Sequence, residues 1–151
     1  MMYKTHLAFA VLVSLIIFKF FSIENKIIFA GVLYFASLVP DLDIPKSWIS
    51  KKTKVFSWIF RLFFRHRGIL HSVYPAFIVF FLLSSVDQKV LAVAFLLGYL
   101  SHLFSDAMTI KGVRLFHPLL RMRFAGIVKT GGLMERLFFL GLILLNILLI
   151  V

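Results

Sequence analysis

Five apolar stretches, each close to the length of a bilayer crossing, dominate this 151-residue chain. They run from about Leu7 to Phe21, Lys26 to Val39, Ile69 to Val86, Val90 to Phe104 and Leu133 to Val151. A helix needs about 20 mostly apolar residues to cross ~30 Å of hydrocarbon. The second stretch is the shortest. Its roughly 14 residues rise only ~21 Å as a helix, so it thins the bilayer or ends inside it. Lys54 to Arg65 mixes aromatic residues with spaced cations, the pattern of a helix lying in the membrane interface. The first stretch lacks a small-residue cleavage site and reads as a retained anchor. The expected fold is all-α: an integral-membrane helical bundle with about five transmembrane helices and one interfacial amphipathic helix, residues 1–151 forming a single domain. A hydrophobic content of 62% and 19 phenylalanines agree with that class.

Counting crossings from Met1 places the ends of these stretches. His6, the Asp41-Leu42-Asp43 loop, the His66 to His71 box and the His102/Asp106 pair all meet one face. Fourteen of the 17 Lys and Arg fall on that same face; Lys19, Lys26 and Lys89 fall on the other. The positive-inside rule makes the crowded face cytoplasmic and puts the C-terminus on the opposite side of the cell membrane. The net charge of +11 is then explained by topology and anionic headgroups, and no nucleic-acid partner is expected.

An ionisable residue costs roughly 2.5–3.5 kcal/mol at the centre of a membrane helix. Gathering every histidine near segment ends therefore points to one shared site. Histidine and aspartate are ligands of a metal centre, and the absence of cysteine limits the donors to nitrogen and oxygen. His102 and Asp106 are one helical turn apart and share a face; the plain alternative is a hydrogen bond sealing a helix end. Asp41 and Asp43 sit between Pro40 and Pro45, which stiffen their loop. Two carboxylates so close repel unless a cation neutralises them, although a solvated turn uses the same residues. His66-Arg67-Gly68-Ile69-Leu70-His71 pairs two histidines with an arginine suited to a phosphate oxygen; a basic interfacial cluster is the bland reading. His6 joins by its position on the same face. Glu135 opens the last helix and reads as an acid/base group, a support for a ligand or a match to the helix dipole. His117, before Pro118 in the basic loop, is the weakest candidate.

These residues resemble the YdjM-type family of inner-membrane metal-dependent hydrolases, also described as LexA-binding. The resemblance runs nearly end to end. It takes in His6, the Pro40-Asp41-Leu42-Asp43 loop with Pro45-Lys46-Ser47, the His66-Arg67-Gly68-x-x-His71-Ser72 box, and Gly98-Tyr99-Leu100-Ser101-His102 with Asp106. It continues through Gly112-Val113-Arg114-Leu115-Phe116 to Gly132 and Glu135-Arg136. This chain departs from the family pattern in Ile44, where His is frequent, in Leu70, where Thr is frequent, and in His117, where an aromatic residue is usual. More distantly the pattern is similar to the zinc-dependent phospholipases C and single-strand nucleases, which carry a His-x-x-x-Asp helix. That likeness implies phosphodiester hydrolysis with His102 and Asp106 as the helix pair.

The expected function is a membrane-bound, metal-dependent hydrolase acting on a lipid phosphoester at the cytoplasmic face. One or two divalent ions, zinc by preference, would be held by His6, Asp41, Asp43, His66, His71, His102 and Asp106. Asp41, Arg67 and Glu135 are the candidate catalytic groups, and membrane lipid is the expected substrate. Two other classes compete. A metal or proton transporter would place polar groups at mid-membrane and on both faces. A non-catalytic regulatory protein would anchor a cytoplasmic protein partner through the basic face.

Overall fold

The computed structural model describes residues 1–43 and 69–151, with Leu42 and Asp43 described in backbone only. In chain order it contains α1 (Tyr3–Phe20), α2 (Lys26–Ala36), a 3-10 turn (Val39–Asp43), α3 (Tyr74–Ser85), α4 (Lys89–Ala107) and α5 (Leu133–Ile150). The described residues hold no strand; two isolated bridges, Thr109 with Val128 and Val113 with Phe124, tie the loop between α4 and α5 at its base. The all-α bundle expected from the sequence is what forms.

Crossing lengths differ among the helices. α1, α4 and α5 are long and apolar enough to span a membrane, and at 1.5 Å per residue they rise about 27–29 Å. α2 and α3 have 11 and 12 residues and rise only about 17–18 Å. Both are shorter than the stretches that predicted them, for local reasons. Asn25 caps α2 by accepting from the Ile28 amide at 3.1 Å, and the chain leaves α2 at Ser37 to enter the 3-10 turn at Val39, just before Pro40. Ahead of α3, the Ser72 amide and hydroxyl both donate to the Ile69 carbonyl, at 3.0 and 2.6 Å, closing a turn. The helix starts only at Tyr74, with Pro75 in the first turn where its missing N–H has no partner to lose. The interfacial helix expected over Lys54 to Arg65 lies outside the described residues.

α4 is the hub. It packs against α1, α2, α3 and the 3-10 turn, and its buried positions are mostly small: Ala92, Ala94, Gly98, Ser101 and Ser105. In lipid, where apolar area alone does not drive helices together, small residues allow the backbones to approach and gain dispersion contact. At Gly98 the approach is extreme, since a Cβ there would stand 2.1 Å from the Leu33 carbonyl oxygen of α2. Two apolar cores follow from this arrangement. Ala10, Phe29, Leu33 and Ala94 join α1, α2 and α4; Val39, Ala76, Tyr99, Leu103 and Val113 fill the end nearer the loops. Phe77, Ile78, Phe81 and Leu82 of α3 and Leu137, Leu140, Leu144 and Leu148 of α5 face outward, as residues that meet lipid do. α5 is tied to α1 by Asn146, whose Nδ2 donates to the Ala8 carbonyl at 3.0 Å.

Candidate metal centre

Four separate segments converge at one end of the bundle. His6 comes from the first turns of α1, Asp41 from the 3-10 turn after α2, His71 from the turn before α3, and His102 with Asp106 from the last turns of α4. Their donor atoms fall into two overlapping groups, His6/Asp41/His102 and His71/His102/Asp106, each with all atoms within 4.8 Å of one another. The carboxylate of Asp106 sits among the histidines. Its Oδ1 is 3.4 Å from His6 Nε2, and its Oδ2 is 3.5 Å from His102 Nε2 and 3.7 Å from His71 Nε2. Asp41 Oδ1 lies 4.0 Å from His102 Nε2.

These separations exceed the 2.7–3.2 Å of an N–H···O hydrogen bond. They lie close to the ~3.3 Å between neighbouring donors around a tetrahedral ion with zinc's bond lengths of ~2.0–2.1 Å.

Supporting hydrogen bonds decide which nitrogens face the centre. The Ser37 carbonyl lies 2.7 Å from His102 Nδ1. A carbonyl can only accept, so Nδ1 carries the proton and Nε2 presents a lone pair. The Ser105 hydroxyl donates to the His102 carbonyl at 2.9 Å, so toward His6 Nδ1, 2.6 Å away, its oxygen accepts. His6 is thereby held in the same tautomer. The two rings stack with centroids 3.8 Å apart at 9°. Both residues are essentially sealed from solvent, at 1% and 0% exposure, and among the described residues neither Nε2 has a hydrogen-bond partner. An unsatisfied buried polar atom costs about 1–3 kcal/mol. Two such atoms aimed at carboxylates suit a cation; Asp41 and Asp106 bring two carboxylates to it, and Asp106 Oδ1 also accepts from the Met1 ammonium. The residues present therefore fit a metal.

His71 is placed by contacts on both sides of its turn. Tyr99 of α4 donates its hydroxyl to the Leu70 carbonyl, and the Val73 amide donates to the Leu115 carbonyl at 2.9 Å. Its ring meets that of His102 edge-on, with centroids 5.5 Å apart. Burial pushes the Asp41 carboxyl above the usual carboxylate range, while His102 and His71 pull it back down.

The other sequence candidates fall as follows. His66, Arg67 and the side chain of Asp43 lie outside the described residues. His117 belongs to neither donor group; it stands in the loop after α4, its amide donating to the Arg114 carbonyl at 3.1 Å. Glu135 is fully buried at the start of α5 and is also in neither group. Its Oε1 accepts from the Met2 amide at 2.6 Å and the Thr5 hydroxyl at 3.1 Å, and its Oε2 from the Gly131 amide at 2.6 Å. Such a carboxylate clamps α1 to α5. Glu135→Ala is expected to destabilise the protein by on the order of 3 kcal/mol, because three donors lose their acceptor. Its metal content should stay at the wild-type level. Denaturant unfolding in detergent, run beside elemental analysis, checks both expectations.

Ser37 and Ser105 were not among the sequence candidates. Ser105, next to Asp106, carried a weak signal as a hydroxyl on the helix that bears His102 and Asp106. The role of Ser37 rests on its backbone carbonyl and has no signature in residue type.

Fold and site together define an integral-membrane helical protein that gathers histidine and aspartate donors at one end of its bundle. The chain belongs to the YdjM inner membrane protein family, which matches it over residues 1–151. It is 34% identical over 110 residues to YvsG of Bacillus subtilis (strain 168), covering 72% of this chain and 69% of that one. It is 38% identical over 90 residues to the inner membrane protein YdjM of Escherichia coli (strain K12) and to that of Shigella flexneri. That alignment covers 54% of this chain and 44% of each YdjM protein. No solved structure matches.

Proposed function

We propose that this protein is a membrane-bound, metal-dependent hydrolase that cleaves a phosphoester bond of a lipid at the cytoplasmic face of the membrane. The observation that carries the reading is the pair of buried Nε2 atoms of His6 and His102, without a hydrogen-bond partner among the described residues, with Asp106 and Asp41 beside them. His102 supports a single ion. With Nδ1 taken by Ser37, only Nε2 remains, and one lone pair serves one metal, so the two overlapping donor groups would share one centre. Zinc suits the set of nitrogen and carboxylate oxygen donors. A bound divalent ion would supply Lewis acidity toward a phosphoryl oxygen and make water a stronger acid.

The chain's own groups account for the remaining requirements. Ser37 and Ser105 keep both imidazoles in the tautomer that offers Nε2 inward. Asp41, whose Oδ1 lies 4.0 Å from His102 Nε2, would take up the proton released from the attacking water. Arg67, four residues before His71 in the chain, would hold non-reacting phosphoryl oxygens. The excess of Lys and Arg on the face bearing the site favours a cytoplasmic site and N-terminus, with the C-terminus opposite. A lipid reaches such a site by lateral diffusion.

The direct test is a hydrolysis screen of purified protein against glycerophospholipids and soluble phosphodiesters. The expected result is product from lipid, abolished by exhaustive chelation and restored by zinc. Turnover that survives chelation would remove the metal from the mechanism, and turnover of soluble diesters alone would remove the lipid.

A further inference from the structure

The segment between α4 and α5, residues 108–132, contains five cations (Lys111, Arg114, Arg121, Arg123 and Lys129) and no acidic residue. It is built as a pinned base with a projecting tip. At the base Thr109, Val113 and Val128 are buried. Backbone bonds lace it: Ile110 to Val128 at 3.0 Å, Val113 to Phe124 at 2.8 Å, and Phe124 back to Val113 at 2.9 Å. Gly112 lets the two sides of the loop close, with φ at +60° and the Phe124 oxygen 2.2 Å from where a Cβ would stand. The tip reads Leu119-Leu120-Arg121-Met122-Arg123, and all five residues are exposed. Leu119, Leu120 and Met122 are 76%, 51% and 59% exposed.

We propose that this tip is a lipid-docking element that recognises anionic phospholipid headgroups in the leaflet beside the His/Asp cluster. Three observations support a membrane surface as the occupant. The loop leaves α4 at Ala107 and enters α5 at Leu133, two helices long and apolar enough to span, so its distance from the bilayer surface is short. The loop holds no acidic residue, and among the described residues its cations form no ion pair, which leaves them for headgroup phosphates. Its leucines and methionine alternate with arginines, so apolar side chains can enter the acyl boundary while guanidinium groups remain at headgroup level. The loop also adjoins the candidate centre: Leu115 accepts from the Val73 amide at 2.9 Å, two residues from His71. Docking of the tip is independent of catalysis, and its test requires no turnover.

The chain has no cysteine, so Leu120→Cys accepts one environment-sensitive fluorophore at the tip. The labelled protein is reconstituted into phosphatidylcholine vesicles with or without phosphatidylglycerol. The expected result is blue-shifted emission, quenched by brominated acyl chains, that strengthens with phosphatidylglycerol and weakens at high salt. Adding Arg121→Gln and Arg123→Gln should reduce the preference for phosphatidylglycerol about fivefold per cation removed. Equal chelator-sensitive metal content and equal elution profile in the variants keep the comparison to folded protein. Water-like emission in both vesicle types overturns the proposal, and is what a tip made for a protein partner would give. A blue shift indifferent to phosphatidylglycerol and to the arginine changes overturns its headgroup recognition.

Discussion

An Asp106→Ala protein is expected to purify without stoichiometric metal, where the wild type carries one equivalent. Asp106 is the group that meets all three histidines, within 3.4–3.7 Å of His6, His71 and His102. Removing it deletes a donor and half of the negative charge that Asp41 and Asp106 offer a divalent cation. Loss of a residue that merely supports a ligand typically costs 10–100-fold in metal affinity; deleting a donor at the centre of the cluster should exceed ~100-fold by the same measure. His71→Ala, at the more accessible side, should lose metal as well. Elemental analysis and calorimetric titration with zinc, both beside Glu135→Ala, provide the measurement. Metal retained at one equivalent in both the Asp106 and His71 variants would end the case for this centre. A wild type carrying two equivalents would refute the single shared ion.

Gly98→Ala is expected to cost metal and stability together, although it lies a full turn from His102. The added methyl would stand 2.1 Å from the Leu33 oxygen and 3.0 Å from the Ala36 methyl. Neither atom can swing aside, since one is backbone and the other a Cβ. α4 must then move away from α2, which stretches the 2.7 Å contact between His102 Nδ1 and the Ser37 carbonyl. Overpacking of this kind costs about 1–3 kcal/mol, and the loosened ring should bind zinc at least tenfold more weakly. Gly31→Ala in α2 is the matched control, because a Cβ there meets nothing within 4 Å. That change should be neutral or stabilise by about 0.5–1 kcal/mol, the usual helix preference for alanine. Thermal unfolding with zinc titration separates the two. Equal behaviour of the two variants would show that the α2/α4 contact does not set the site.

Much of the site was legible because water-seeking side chains in so apolar a chain have few places to go. His6, Asp41, His71, His102 and Asp106 were candidates from their positions at segment ends, and they converge as expected. The i, i+4 spacing of His102 and Asp106 required only a helix to act. Glu135 was less legible. Its neighbourhood resembled that of the other acids, but three donors from Met2, Thr5 and Gly131 claim it, and those partners are distant in the chain or in backbone atoms. The shortness of α2 and α3 was likewise hidden, since hydropathy does not distinguish an apolar turn from an apolar helix.

Residue order by itself determined the membrane class, the helical architecture and the inventory of donors near one face, because hydrophobic run length and the expense of burying charge act locally along the chain. Tertiary packing alone decided which nitrogen each histidine presents, how near the donors stand, and that α4 is the helix on which they assemble. Those features depend on close contacts between segments far apart in sequence, such as Gly98 against Leu33 and His102 against Ser37, and no local pattern encodes the fit of one backbone against another.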